Sequence, residues 1–195
     1  MRAVLTKCLM IVAVASVAAC AAPQTKVFPD ITFSHLPPIS IAVDEKSTLS
    51  AFQSSYTMPY VEHEMPVLPE AVLRQWAADR LVPSGEGSAR LVYTILDASV
   101  TAKALSTDET LKAWFTDEQA VKYEVSLKAE VKIDDSANGA SGVAEASAKR
   151  SVTVPEGATV NERNQTLFDL ISAAAGDFNT QLEANVRRYL ANWVR

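Results

Sequence analysis

Residues 121–134 read VKYEVSLKAEVKID, a stretch in which seven apolar side chains alternate with seven polar or charged ones. Successive side chains of a strand point to opposite faces of the sheet, so this period of two predicts a long strand with one buried face. The turn-forming sequence DDSANG at 134–139 predicts a hairpin whose second strand lies at 144–154. The inward residues of that second strand are mostly alanine, which would let a helix approach it closely.

Further elements are predicted upstream of this hairpin. Alternation at 39–43 indicates a short strand, and the apolar spacing over 69–81 predicts an amphipathic helix that begins with proline. Residues 90–104 predict a strand that is apolar on both faces and is therefore central in the sheet. The proline-rich segment 46–69 and the segment 106–119 have no sustained period, so we expect loops there.

A long helix is predicted at the C-terminus. Thr159 and Glu162 have the spacing of a capping box, and apolar residues then recur every three or four positions up to Trp193. A helix over all of these positions would be about 52 Å long at 1.5 Å per residue. The element order β-α-β-β-β-α predicts a two-layer α+β fold, with a sheet of about four strands packed by two helices. We assign residues 39–195 to this single domain.

The composition restricts the class of protein. The chain has 195 residues, of which 48% are hydrophobic and 21% charged, as expected of a folded chain and not of a disordered or collagen-like one. The formal net charge is −5, and no basic run is longer than the pairs at 149–150 and 187–188. Nucleic-acid binding relies largely on neutralising phosphates with Lys and Arg, so we expect no nucleic-acid partner.

The first residues predict an export signal. Arg2 and Lys7 precede a short apolar run at 8–15, and small residues follow it. This run is too short for a transmembrane helix, which needs about 20 apolar residues. We assign residues 1–19 to a signal peptide and residues 20–38 to a tether that contains several prolines. An uncleaved N-terminal anchor is the alternative.

The sequence VAAC at 17–20 resembles the lipobox of bacterial lipoproteins. This resemblance implies cleavage between Ala19 and Cys20, a diacylglycerol thioether on Cys20, and acylation of its amine by a fatty acid such as palmitate. It also implies an outer-membrane location facing the periplasm, because the next residue is Ala21 and not Asp. Loss of the signal takes the formal charge to −7 and removes Cys8, so no free thiol is left for a disulfide, a thiolate metal site or a nucleophile. A chance cysteine at an ordinary cleavage site is the alternative.

No motif predicts a catalytic residue, a metal site or a cofactor. His63 lies between two glutamates, but a metalloprotease helix needs a second histidine four positions later, where Val67 stands. His35 is the other histidine of the chain and lies in a proline-rich segment. We interpret His63 as an exposed loop residue, with a ligand role alongside nearby carboxylates as the alternative.

Several large side chains in irregular segments are candidates for partner contact. Trp114 and Phe115 are adjacent aromatics among polar neighbours, and Tyr56 and Tyr60 lie in the loop predicted at 46–69. Trp193 lies at the end of the C-terminal helix. Each of these residues either packs on the core or forms an anchor for a partner, and the sequence leaves both readings open.

The lipobox, the element order over 39–193 and the long C-terminal helix together resemble the auxiliary lipoproteins of ABC-type transport systems, including the paraquat-inducible lipoprotein family. A more distant resemblance is to the lipoprotein plug subunit of lipopolysaccharide export. The resemblance implies a non-enzymatic lipoprotein that serves as an accessory or scaffold subunit of an envelope transport or assembly complex. An envelope enzyme or metal-binding protein built on His63 is the alternative. A small-ligand carrier would require an apolar cavity between sheet and helices.

Overall fold

The computed structural model describes residues 26–86, 88–105 and 120–195. In chain order the elements are β1 (Ile39–Ile41), β2 (Glu45–Ser50), a 3-10 helix (Glu62–Glu64), α1 (Pro69–Arg80), β3 (Leu81–Pro83), β4 (Arg90–Leu105), β5 (Ala120–Asp135), β6 (Ala140–Pro155) and α2 (Val160–Tyr189).

The main sheet has four strands in the order β2-β4-β5-β6. β2 is parallel to β4, and the other two pairs are antiparallel. Every second residue of β5 from Tyr123 to Ile133 is buried, and α1 and α2 pack on that face. The opposite face carries polar and charged residues such as Lys128 and Glu130. The two-layer α+β fold predicted from the sequence is confirmed.

The fourth strand of the sheet comes from a segment that we expected to be a loop. The predicted strand forms at Ile39–Ile41, but it pairs in parallel with β3 in a separate two-stranded sheet. β2, with the sequence EKSTLS, instead lies at the edge of the main sheet. Its Lys46 Nζ donates to the carbonyl oxygens of Ala77 (2.9 Å) and Leu81 (2.7 Å), at the C-terminal end of α1. The lysine thus adds a second donor to the Ala77 carbonyl, which also accepts from the Leu81 amide, and it supplies a donor to the Leu81 carbonyl just beyond the helix.

An irregularity in the pairing of β4 with β5 keeps the apolar residues of β4 on the inner face of the sheet. The pairing with β5 shifts between Ile95 and Asp97, where one extra residue is inserted. Tyr93 and Ile95 are buried before the shift, and Ala98 and Val100 are buried after it. A bulge of this kind reverses the alternation of side chains, which explains why a strict period of two places apolar residues on both faces.

α2 lies on the strand whose inward residues are small. Ala144, Ala146 and Ala148 of β6 are buried under it, as the alanine pattern predicted. At the edge of the same strand, Gln181 accepts from the Ser147 amide (3.1 Å), and Asn185 donates to the Glu145 carbonyl oxygen (2.6 Å). The helix therefore also occupies backbone groups that a free strand edge would expose.

Both ends of α2 have a defined structure. At the start, the Thr159 hydroxyl accepts from the Glu162 amide, and the Glu162 carboxylate accepts from the Thr159 amide, so the predicted capping box is confirmed. At the other end, the helix stops at Tyr189 and not at 193 as we expected. The last residues turn back, and the Trp193 carbonyl oxygen accepts from the Ala42 amide (2.7 Å).

Residues 26–38, which we assigned to the tether, lie on the helices. The ring of Phe28 stacks on that of Phe168, with 5.0 Å between centroids. The Phe33 amide donates to Asp79 (2.7 Å), and the buried Arg80 bonds to the Pro37 carbonyl oxygen and to Glu183. From residue 26 onward the chain is thus part of the folded body.

We expect Gly142→Ala to destabilise the protein by about 1–3 kcal/mol, the usual cost of overpacking a core. A Cβ at Gly142 would lie 2.6 Å from the Leu190 side chain and 2.9 Å from the Trp193 ring, both of which are buried. Gly157→Ala is the matched control, because a Cβ there meets no atom within 4 Å. Denaturant unfolding measures the difference, and an unchanged free energy of unfolding for Gly142→Ala would contradict the packing described.

Candidate functional site

The residues predicted to contact a partner differ in their exposure in the structure. Trp114 and Phe115 lie outside the described residues. Tyr56 and Tyr60 are exposed, as a contact role requires. Trp193 is buried against Gly142, so in this structure its side chain serves the core and offers no contact surface.

Tyr56 and Tyr60 are held by the loop between β2 and α1, which returns to the edge of β4. β2 covers β4 only from Arg90 to Ile95. Further along the same edge, the Val61 amide donates to the Val100 carbonyl oxygen, and the Ala102 amide donates to the Pro59 carbonyl oxygen, both at 2.8 Å. These bonds fix the backbone of the loop, while the side chains of Tyr56, Met58 and Tyr60 are exposed.

Glu62 is the residue that holds this loop from within. Its carboxylate is buried and accepts from the Ser54 hydroxyl (2.5 Å), the Ser55 amide (3.3 Å) and the Val100 amide (3.5 Å). Buried polar groups are costly unless bonded, so these three donors make the carboxylate a structural tie between two parts of the loop and β4. The sequence had suggested Glu62 only as a neighbour of a candidate metal ligand.

His63 makes contacts that are ordinary for a surface histidine. Its ring lies 5.1 Å from the Tyr56 ring, and its Nε2 atom lies 3.8 Å from the Glu64 carboxylate. Glu64 also pairs with Arg163 at 3.3 Å. Within residues 26–86, 88–105 and 120–195, no three His, Cys, Asp or Glu side chains are placed to hold a metal ion. The alternative built on His63 and carboxylates gains no support from this geometry.

A shallow cleft beside His63 encloses about 80 Å³. Apolar and polar side chains line it together, among them Phe52, Tyr56, Glu62, His63 and Leu68. Small-molecule sites usually enclose about 300–1,000 Å³. The cleft is therefore better suited to contact with another surface than to the enclosure of a ligand.

The space between sheet and helices is filled where α1, α2 and β4 meet. The Trp76 ring packs against Tyr93 and Phe178, with centroids 5.8 and 5.7 Å apart, and its Nε1 donates to Asn179 (2.8 Å). Burial raises the pKa of the Tyr93 hydroxyl, so that this group stays neutral. A ligand carried between the layers would have to displace these rings.

The comparisons with known proteins give low similarities only. No protein-family profile and no curated protein matches the chain. Among solved structures, a minor lipoprotein from Acinetobacter baumannii is similar, with 18% identity, a TM-score of 0.38, and coverage of 75% of this chain and 93% of the other. A DUF330 protein from Xanthomonas campestris has 11% identity and a TM-score of 0.35, with coverage of 87% and 94%. These scores are too low for either similarity to carry an argument about fold or function.

No helix in the described ranges is long and apolar enough to cross a bilayer.

Two exposed residues, Val27 and Val160, were missed by the sequence reasoning. The sequence does contain a signal for the exposure of Val160. This residue directly follows the cap residue Thr159, and its position is not part of the apolar stripe of α2. Val27 carries no local signal, since its exposure depends on how the neighbouring Phe28 packs on α2.

We expect Glu62→Ala to lower the free energy of unfolding by about 1–3 kcal/mol, because the Val100 amide and two loop donors lose a buried acceptor. Amide hydrogen exchange at Ser55 and Val100 should become faster in the variant. Glu156→Ala is the control, since Glu156 is exposed. Unchanged stability and unchanged exchange in the Glu62 variant would show that the carboxylate does not tie the loop.

Proposed function

We propose that the protein is a non-enzymatic lipoprotein of the bacterial cell envelope, anchored through lipid on Cys20. In this role it is an accessory or scaffold subunit of an envelope transport or assembly complex. The observation that carries the proposal is the VAAC sequence at 17–20, which follows a charged and then apolar segment. The VAAC pattern is specific for lipoproteins when it follows an export signal, whereas elsewhere in a sequence it occurs by chance.

The lipid anchor has the strength that the role requires. Each buried CH₂ group contributes about 0.8 kcal/mol, so a diacylglycerol and an additional acyl chain together hold a protein stably on a bilayer. Ala21 after the acylated cysteine supports the outer membrane as the location, with the body facing the periplasm.

The folded body supports an accessory role over an enzymatic one. The only histidine near a carboxylate cluster within the described ranges, His63, contacts Tyr56 and Glu64 and lies beside a cleft of about 80 Å³. The loop around it presents exposed aromatic and thioether side chains on a fixed backbone. Exposed apolar side chains on a stable scaffold are typical of contact surfaces.

The test of the anchor is the substitution Cys20→Ser. We expect the wild-type protein to be recovered with membranes and to gain the mass of its acyl chains, whereas Cys20→Ser should be soluble and unacylated. Cys8→Ser is the matched control, because Cys8 lies in the signal that is removed. Equal membrane recovery of wild type and Cys20→Ser, with no added acyl mass on the wild type, would contradict the proposal.

The accessory role has a second readout in the same strains. We expect a defined set of envelope proteins to co-purify with the wild type and with Cys8→Ser, and to be lost with Cys20→Ser. If the acylated wild type purifies alone after cross-linking in intact cells, the scaffold role is wrong even though the anchor is right.

A further inference from the structure

We propose that one end of the protein rests on the bilayer that holds its lipid anchor, with side chains of the loop 56–60 and of the first turn of α2 in direct contact with lipid. We call this end, formed by residues 26–28, 56–60 and 160–163, the anchor end. The inference rests on the proposed acylation of Cys20 and adds to it a membrane-facing surface and an orientation.

The entry point of the chain places the anchor end near the membrane. The Lys26 amide donates to Asn161 (3.5 Å), its ammonium group bonds to Gln165, and Phe28 stacks on Phe168. The chain is therefore attached to the first turns of α2. Six residue steps separate Lys26 from Cys20, and even a fully extended chain of that length spans only about 20 Å.

The opposite end cannot face the membrane under this restraint. α2 has 30 residues, so its last turn at Tyr189 lies about 42 Å from Asn161 along the helix axis. If Tyr189 rested on the bilayer with α2 upright, Lys26 would be farther from the surface than the six linking residues can reach. The tether thus restricts the protein to lying flat or standing on the anchor end.

The exposed apolar side chains favour standing on the anchor end. Among the large apolar residues that the structure describes, the four most exposed are Val27 (91%), Met58 (73%), Tyr56 (71%) and Val160 (66%). Val27 and Val160 belong to the chain entry and to the first turn of α2.

Tyr56 and Met58 are connected to the same end by a short chain of contacts. Tyr56 packs on His63, whose neighbour Glu64 pairs with Arg163 in α2. The residue after Met58, Pro59, bonds to Ala102 near the end of β4. Tyrosine is enriched at membrane interfaces because it has an apolar ring and a polar tip, and methionine adapts to irregular apolar surfaces.

Among the described residues, the exposed charges at and near the anchor end have both signs. Lys26 and Glu162 are exposed at this end, and so are Lys103 near the end of β4 and Glu156 just before α2. The mixed signs favour an apolar contact that depends little on salt, in contrast to the salt-sensitive binding of a polybasic surface.

The test uses a fluorescent label on single cysteines, because acylation of Cys20 leaves the mature protein without a free thiol. Met58→Cys and Val160→Cys place the label at the anchor end, and Tyr189→Cys is the matched exposed control at the far end of α2. The full acylated proteins are reconstituted in phosphatidylethanolamine–phosphatidylglycerol vesicles that contain a nitroxide-labelled lipid. We expect quenching by this lipid to be several-fold stronger at 58 and 160 than at 189, at both low and high salt.

A second pair of variants tests whether the apolar side chains themselves make the contact. With the label at 160, the double substitution Tyr56→Ser and Met58→Ser should reduce lipid quenching several-fold. Leu49→Ser with Val143→Ser is the control, because both of these exposed residues lie on the outer face of the sheet.

The outcomes separate the two proposals. Absence of acyl mass on the reconstituted protein would overturn the anchor, and the orientation with it. An acylated protein with equal quenching at 58 and 189 would overturn the orientation alone. The label at 58 could instead be shielded from an aqueous quencher and yet not be quenched by the lipid. That result would identify a protein, such as a second copy of this chain, as the occupant, and it would also overturn the orientation.

Discussion

The close approach of α2 to the small inner face of β6 is the constraint on which the rest of the structure depends. Gly142 leaves no room for a Cβ beside Leu190 and Trp193, and three buried alanines continue the same face. Side chains of α2 also bond to backbone groups at the edge of β6. One helix of 30 residues thus covers a face of the sheet and bonds to one of its edges.

The two ends of α2 are completed in different ways. At the far end, Trp193 and Arg195 bond to the backbone of residues near β1, so the C-terminal turn closes the core. At the anchor end, the capping box completes the helix, and Val160 of its first turn is exposed. Among the described residues, the most exposed large apolar side chains belong to the anchor end, and the chain that leads to Cys20 leaves from that end.

Much of the fold follows from local sequence. The remaining features depend on contacts between residues that are distant in the sequence. The period of two in β5 and the Thr159–Glu162 box define their elements by themselves. β2 escaped prediction because its inward residue Lys46 is polar and is stabilised by carbonyls of α1, 31 or more positions away. Glu62 resembled a metal ligand beside a histidine, and only the amide of Val100, 38 positions away, shows its structural role.

The central claim is that the acylated body stands on its anchor end, and neutron reflectometry of the mature protein on a supported bilayer tests it most directly. An upright α2 of 30 residues should give a protein layer at least about 45 Å thick that begins at the lipid headgroups without an intervening water layer. A layer much thinner than the helix is long, or one separated from the headgroups by solvent, would contradict the orientation.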